Sequence, residues 1–233
     1  MVFIRISQVK YTNKIWRLVT AKTHTFTRQQ EMSNAISHGL GIAFSLVALV
    51  MLIVSTTLQG NLLHIISAMI FGFTMLLLYS CSTLLHSLPT GRAKNVFEIL
   101  DHSAIYLFIA GTYTPLLLIL VRGREAWVML SVIWAIAIGG IVFKAFYVKE
   151  FVFLSTLGYI ILGWMAVFFL NPMMHVLSLA AILYLFAGGL FYTVGTVFYI
   201  WRKLTYHHTV WHLFVLAGSI CHFILIYKYV LGV

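Results

Sequence analysis

Charge is what this chain has least of. Asp, Glu, Lys and Arg make up 9% of its 233 residues, and only five are acidic. A soluble domain carries about a quarter charged residues, so an ordinary water-soluble globular fold is excluded. Cysteine is nearly missing as well. Cys81 and Cys221 both fall inside apolar stretches and read as buried thiols rather than as a disulfide framework. Short alternating polar and apolar segments are absent, which excludes a transmembrane β-barrel. Residues 1–30 are basic and threonine-rich, without a long apolar core or an A-x-A site, so a secretory signal peptide is not expected there. That tail reads as a cytosolic extension, with a basic segment lying on anionic lipid as the alternative.

What the chain has in abundance is hydrocarbon. It is 62% hydrophobic with a mean hydropathy of +1.00. Runs of about twenty apolar residues recur, each able to cross a core of roughly 30 Å. Seven such spans are expected, roughly 33–57, 62–85, 98–121, 126–147, 151–170, 176–200 and 208–231. The fold class is therefore all-α, a seven-transmembrane helix bundle occupying 31–233 behind the 1–30 tail. "NPMMH" is expected as a loop between the fifth and sixth spans, and Pro115 as a kink in the third. Gly188, Gly189 and Gly195 read as close-packing positions.

A net charge of +10 is compatible with nucleic-acid binding, but the cations are distributed by side. Arg5, Lys10, Lys14, Arg17, Lys22 and Arg28 precede the first span. Arg92, Lys94, Lys144, Lys149, Arg202 and Lys203 return to the same face, leaving Arg122, Arg124 and Lys228 opposite. The positive-inside rule then predicts a cytoplasmic N-terminus and an external C-terminus. Membrane lipids, and not nucleic acid, are the expected partners.

Against this background a few polar residues are out of place. Asp101, the sole aspartate, is expected about one turn inside the third span, and an intramembrane carboxylate marks a functional site by default. Ser82 and His86 are four apart at the end of the second span, so they share a helix face. His208 and His212 repeat that spacing at the start of the seventh. Loop topology brings all five to one layer on the N-terminal side. Three imidazoles with one open position match catalytic zinc, which makes His86, His208 and His212 the candidate metal ligands. Asp101 and Ser82 are the candidate catalytic residues, the carboxylate as base and the hydroxyl holding water or oxyanion. Each histidine alone reads as interfacial or hydrogen-bonded, and a proton relay through Asp and His competes with metal. His207 faces differently and His222 lies too far along its helix to share an ion. His38 is placed to touch the ligands, while His24, His64, His102 and His175 read as interfacial.

"EMSNAISHGLG", "STLLHSLP", "LDHSAIYLFIAGTYTP" and "HHTVWHLFVLAGSICHF" together resemble the bacterial hemolysin III proteins, grouped with the adiponectin and progestin receptors in the PAQR family. The likeness runs from about Glu31 to the C-terminus. It implies seven helices, a cytoplasmic N-terminus and zinc on His86, His208 and His212, with Asp101 and Ser82 beside it. It also implies either ceramidase-like hydrolysis of a lipid amide or ester, cytolysis by pore formation around a structural zinc, or lipid sensing without turnover.

Overall fold

A backbone amide inside hydrocarbon must find its partner within its own segment, so apolar runs of this length fold as helices. The computed structural model describes residues 26–59 and 61–232, and among them seven helices are long and apolar enough to cross a membrane. We label the α-helix that opens each span α1 (Arg28–Gln59), α2 (Leu62–Ser87), α3 (Arg92–Pro115), α4 (Gly123–Tyr147), α5 (Val152–Gly163), α6 (Leu179–Ile200) and α7 (His207–Ile224). No strand occurs among the described residues. Residues 1–25, which hold most of the expected basic tail, lie outside them.

Two helices begin earlier than the apolar pattern suggests, and both shifts matter for the site. Before α1, the Gln30 amide donates to Thr27 Oγ1 at 3.3 Å and the Thr27 amide donates to Gln30 Oε1 at 2.8 Å. This reciprocal capping box fixes the helix start at Arg28 and carries Glu31 into the first turn. Helix α3 starts at Arg92, directly after Gly91, so the connection expected over 86–97 shrinks to a few residues. Asp101 consequently lies nine residues inside α3 rather than one turn, about 13 Å from its start at 1.5 Å per residue.

Helix α3 runs through the middle of the bundle: 72% of its membrane-length window is buried, against 22% for α4. Helices α1 and α7 pack together and close the ring around it. Pro115 lacks an amide hydrogen and does not end the helix. The chain continues as a wider π-helical segment, Leu116–Val121, and α7 ends the same way in Leu225–Val230. Helix α5 tightens into a 3₁₀ segment at Trp164–Phe169 and resumes as an α-helix over Leu170–Val176. Tyr113 of α3 stitches this irregularity, because its hydroxyl donates to the Gly163 carbonyl and accepts the Ala166 amide at 3.0 Å. The expected "NPMMH" loop is therefore helical. Pro172 is tolerated in the first turn after the break, and the chain turns at Leu177 and Ser178 instead.

The outer faces of α1, α4 and the 3₁₀ segment after α5 present side chains such as Leu58, Phe146 and Phe168, each more than three-quarters exposed. That is the surface a lipid environment covers. Lys144 departs from expectation. It is fully buried in α4, within electrostatic reach of Glu98 and Asp101, and is not a loop cation. The sidedness of charge rests on the other eleven cations of that face.

Candidate metal centre

The imidazoles of His86, His208 and His212 converge from α2 and α7. Each offers one ligand atom, and these atoms lie within 4.8 Å of one another. Nitrogens bonded at about 2.0–2.1 Å to a tetrahedral zinc stand about 3.3–3.4 Å apart, so the trio would close on one small ion by drawing together by no more than about 1.5 Å. His86 and His212 are buried and His208 is half-buried. The spacing of four residues places His208 and His212 on one face of α7, with ring centroids 4.5 Å apart.

The rings are held by atoms outside the trio. His86 Nδ1 donates to Glu31 Oε2 at 2.5 Å, and Lys94 Nζ donates to Glu31 Oε1 at 2.8 Å. Because Nδ1 is committed to the carboxylate, Nε2 carries the free lone pair, and that atom is buried with no hydrogen-bond partner. His212 Nδ1 lies 2.9 Å from Ser37 Oγ and 3.2 Å from the Asn34 carbonyl. Asn34 Oδ1 also accepts from Thr209 Oγ1 at 2.6 Å, which ties α1 to α7 beside the site. A carboxylate or carbonyl behind a histidine is the usual support of a metal-ligating imidazole, fixing its tautomer and its aim. The donor set, the orphaned Nε2 and these tethers fit a metal ion.

The capping box explains why Glu31 belongs here. With α1 starting at Arg28, Glu31, Asn34 and Ser37 fall at steps of three along one face, turned toward α2 and α7. His38 follows on the same stretch and stacks on His212, with ring centroids 3.4 Å apart and planes inclined by 15°. It bears on the trio by contact, as expected.

Asp101 and Ser82 meet beside the trio. Both are buried, and Ser82 lies within reach of the Asp101 carboxylate. His102 is a correction to the expected interfacial group. It is buried, with Nδ1 2.8 Å from the Glu98 carbonyl and Nε2 3.2 Å from the Tyr199 hydroxyl. His207 turns away, with Nδ1 3.0 Å from the Phe198 carbonyl. His64 and His175 sit at helix ends as expected, and His24 lies outside the described residues.

Two spaces of opposite character meet here. A polar mouth of about 240 Å³ opens on the face where α1 begins, and includes Glu31, Lys94, Lys149 and Arg202 in its wall. An apolar cavity of about 130 Å³ extends from Ser82 and His212 between α3, α5, α6 and α7 as far as His222. Asp101, His102, Tyr199 and His208 line both. A reacting group held at the trio would therefore touch water on one side and a hydrocarbon chain on the other.

The model of a family described as "Haemolysin-III related" matches residues 26–223. The chain is 48% identical over 204 residues to the "Hemolysin-3 homolog" of Bacillus subtilis (strain 168), covering 88% of this chain and 96% of that protein. It is 46% identical over 203 residues to "Hemolysin-3" of Bacillus cereus, covering 87% and 93%. A more distant likeness, 29% over 170 residues and 70% of each chain, is to the human "Monocyte to macrophage differentiation factor".

Proposed function

The chain belongs to the haemolysin-III-related family, and on that premise we propose that it is a zinc-dependent hydrolase of a lipid amide or ester in the bacterial plasma membrane. The observation that carries this reading is the position of the three histidines, where a polar mouth and an apolar cavity share a wall. A hydrolase of lipids needs water and a greasy chain at one point, and few places in a membrane protein offer both.

His86, His208 and His212 would hold the ion through ring nitrogens. When bound, zinc supplies Lewis-acid chemistry, polarising a carbonyl and making water acidic enough to ionise near neutral pH. The protein's own groups do the rest. The apolar cavity seats the acyl chain and so fixes the carbonyl at the trio. Water enters through the mouth. The Asp101 carboxylate accepts the proton of the attacking water and returns it to the departing amine or alcohol, so that one water splits one amide or ester bond. Ser82 has one hydroxyl proton, which it donates to the Asp101 carboxylate at rest and can turn to the developing oxyanion once that carboxylate has taken up its proton. Glu31, Ser37 and the Asn34 carbonyl keep His86 and His212 aimed.

Metal analysis of purified protein tests the centre. Near-stoichiometric zinc is expected in the wild type and almost none in His208→Ala or His212→Ala; a wild type without zinc overturns the reading. Turnover of lipid amides, with Asp101→Ala inactive but still holding metal, tests the chemistry.

The name of the Bacillus cereus relative favours a second reading, lysis of red cells. Leakage of vesicles or erythrocytes that persists unchanged in Asp101→Ala and His208→Ala would support that reading over hydrolysis.

A further inference from the structure

Helix α7 carries a third buried histidine. His222 lies ten residues beyond His212, about 15 Å further along the helix, and is 9% exposed. Its ring belongs to the wall of the apolar cavity, at the end remote from the trio. Nε2 sits 3.3 Å from the Leu185 carbonyl of α6, a contact it can make only as a donor. Nδ1 then bears a lone pair, and that atom is buried with no hydrogen-bond partner. An acceptor in such surroundings is costly unless something fills it.

The position is built to hold this ring. A Cβ at Gly188 would lie 2.3 Å from His222 Nε2, so the absence of a side chain on α6 makes room for the imidazole. Gly218, one turn before His222, does the reverse service and seats Tyr192 of α6, where a Cβ would lie 2.7 Å from the tyrosine ring. Tyr192 meets His222 with ring centroids 5.4 Å apart, and its hydroxyl lies 3.0 Å from Ser219 Oγ. The neighbouring hydroxyls of the cavity already donate elsewhere, Thr112 to the Phe108 carbonyl and Thr193 to the Gly189 carbonyl. His222 Nδ1 is the unsatisfied acceptor of this end of the cavity.

We propose that His222 forms a second recognition point, at which Nδ1 accepts a hydrogen bond from a hydroxyl carried part-way along a long acyl chain whose head lies at the histidine trio. This rests on the reading that the cavity seats a lipid chain, but not on any turnover. The preferred ligands are hydroxylated acyl chains. A plain chain passes the same point and leaves Nδ1 unfilled.

Binding of stearate and of mid-chain hydroxystearate to the purified full-length protein, measured by calorimetry in detergent, tests this. The hydroxylated acid is expected to bind roughly tenfold tighter. His222→Phe, which keeps a ring but has no acceptor, is expected to abolish that preference; His222→Leu serves if the first variant does not fold. Equal affinities in the wild type, the result expected of a subsite filled by water only, overturn the proposal. So does a preference that survives in the variants, or failure of both acids to bind. Zinc content and lipid-amide turnover measured on the same preparation separate the two readings: their loss beside an intact preference overturns the hydrolase and leaves the subsite standing.

Discussion

Helix α7 places histidines in two very different settings, and the contrast separates a metal centre from a lone polar contact. At its start, His208 and His212 meet His86, and the rings are steadied by Glu31, Ser37 and Asn34 from α1. Near its end, His222 has no imidazole or carboxylate partner among the described residues; its neighbours are a carbonyl, a tyrosine ring and a glycine. Both settings bury imidazole nitrogen. Only the first gathers three ligand atoms with tethers behind them, which is what a metal requires. The second offers one acceptor, enough for a hydroxyl and too little for an ion.

The sharpest way to break this comparison is at the carboxylate beside the trio. Asp101→Asn is expected to lower lipid-amide turnover by roughly 10²–10⁴-fold with metal content unchanged, checked by product assay beside elemental analysis. Next comes the tether. Glu31→Ala removes the acceptor of His86 Nδ1 and is expected to weaken metal affinity about 10–100-fold, read by competition with a chelating dye. Gly188→Ala pushes a methyl into the His222 ring. A loss of about 1–3 kcal/mol is expected, seen as a lower thermal midpoint, while the metal stays bound. The smallest effect belongs to His222→Phe, for which the metal content should equal that of the wild type. A loss of zinc in that variant would mean that the two settings are one.

The seven spans were legible in the sequence because hydrocarbon thickness sets their length and few charges interrupt them. The trio was legible for a related reason: the His-x-x-x-His spacing fixes one face, and loop topology returns Ser82, His86 and Asp101 to the same side. Glu31 was not legible as part of the centre. An acid in a first turn looks like ordinary helix-end chemistry, and its pairing with His86 spans 55 positions of chain. The Thr27–Gln30 capping pattern was the available signal, since it sets the register of α1. The burial of His102 was hidden by the helix start: with α3 begun at Arg92, the residue lies well within the bundle. That of Lys144 was hidden although α4 ends at Tyr147 as expected, because Glu98 and Asp101 come to it from another helix. Proline misled at "NPMMH", because the preceding 3₁₀ segment resets where a first turn falls.

The wall shared by the two spaces is four side chains, Asp101, His102, Tyr199 and His208. It amounts to a phase boundary one residue thick. A bond cut there would sort its own products, the water-soluble fragment leaving by the mouth and the greasy one retreating between the helices.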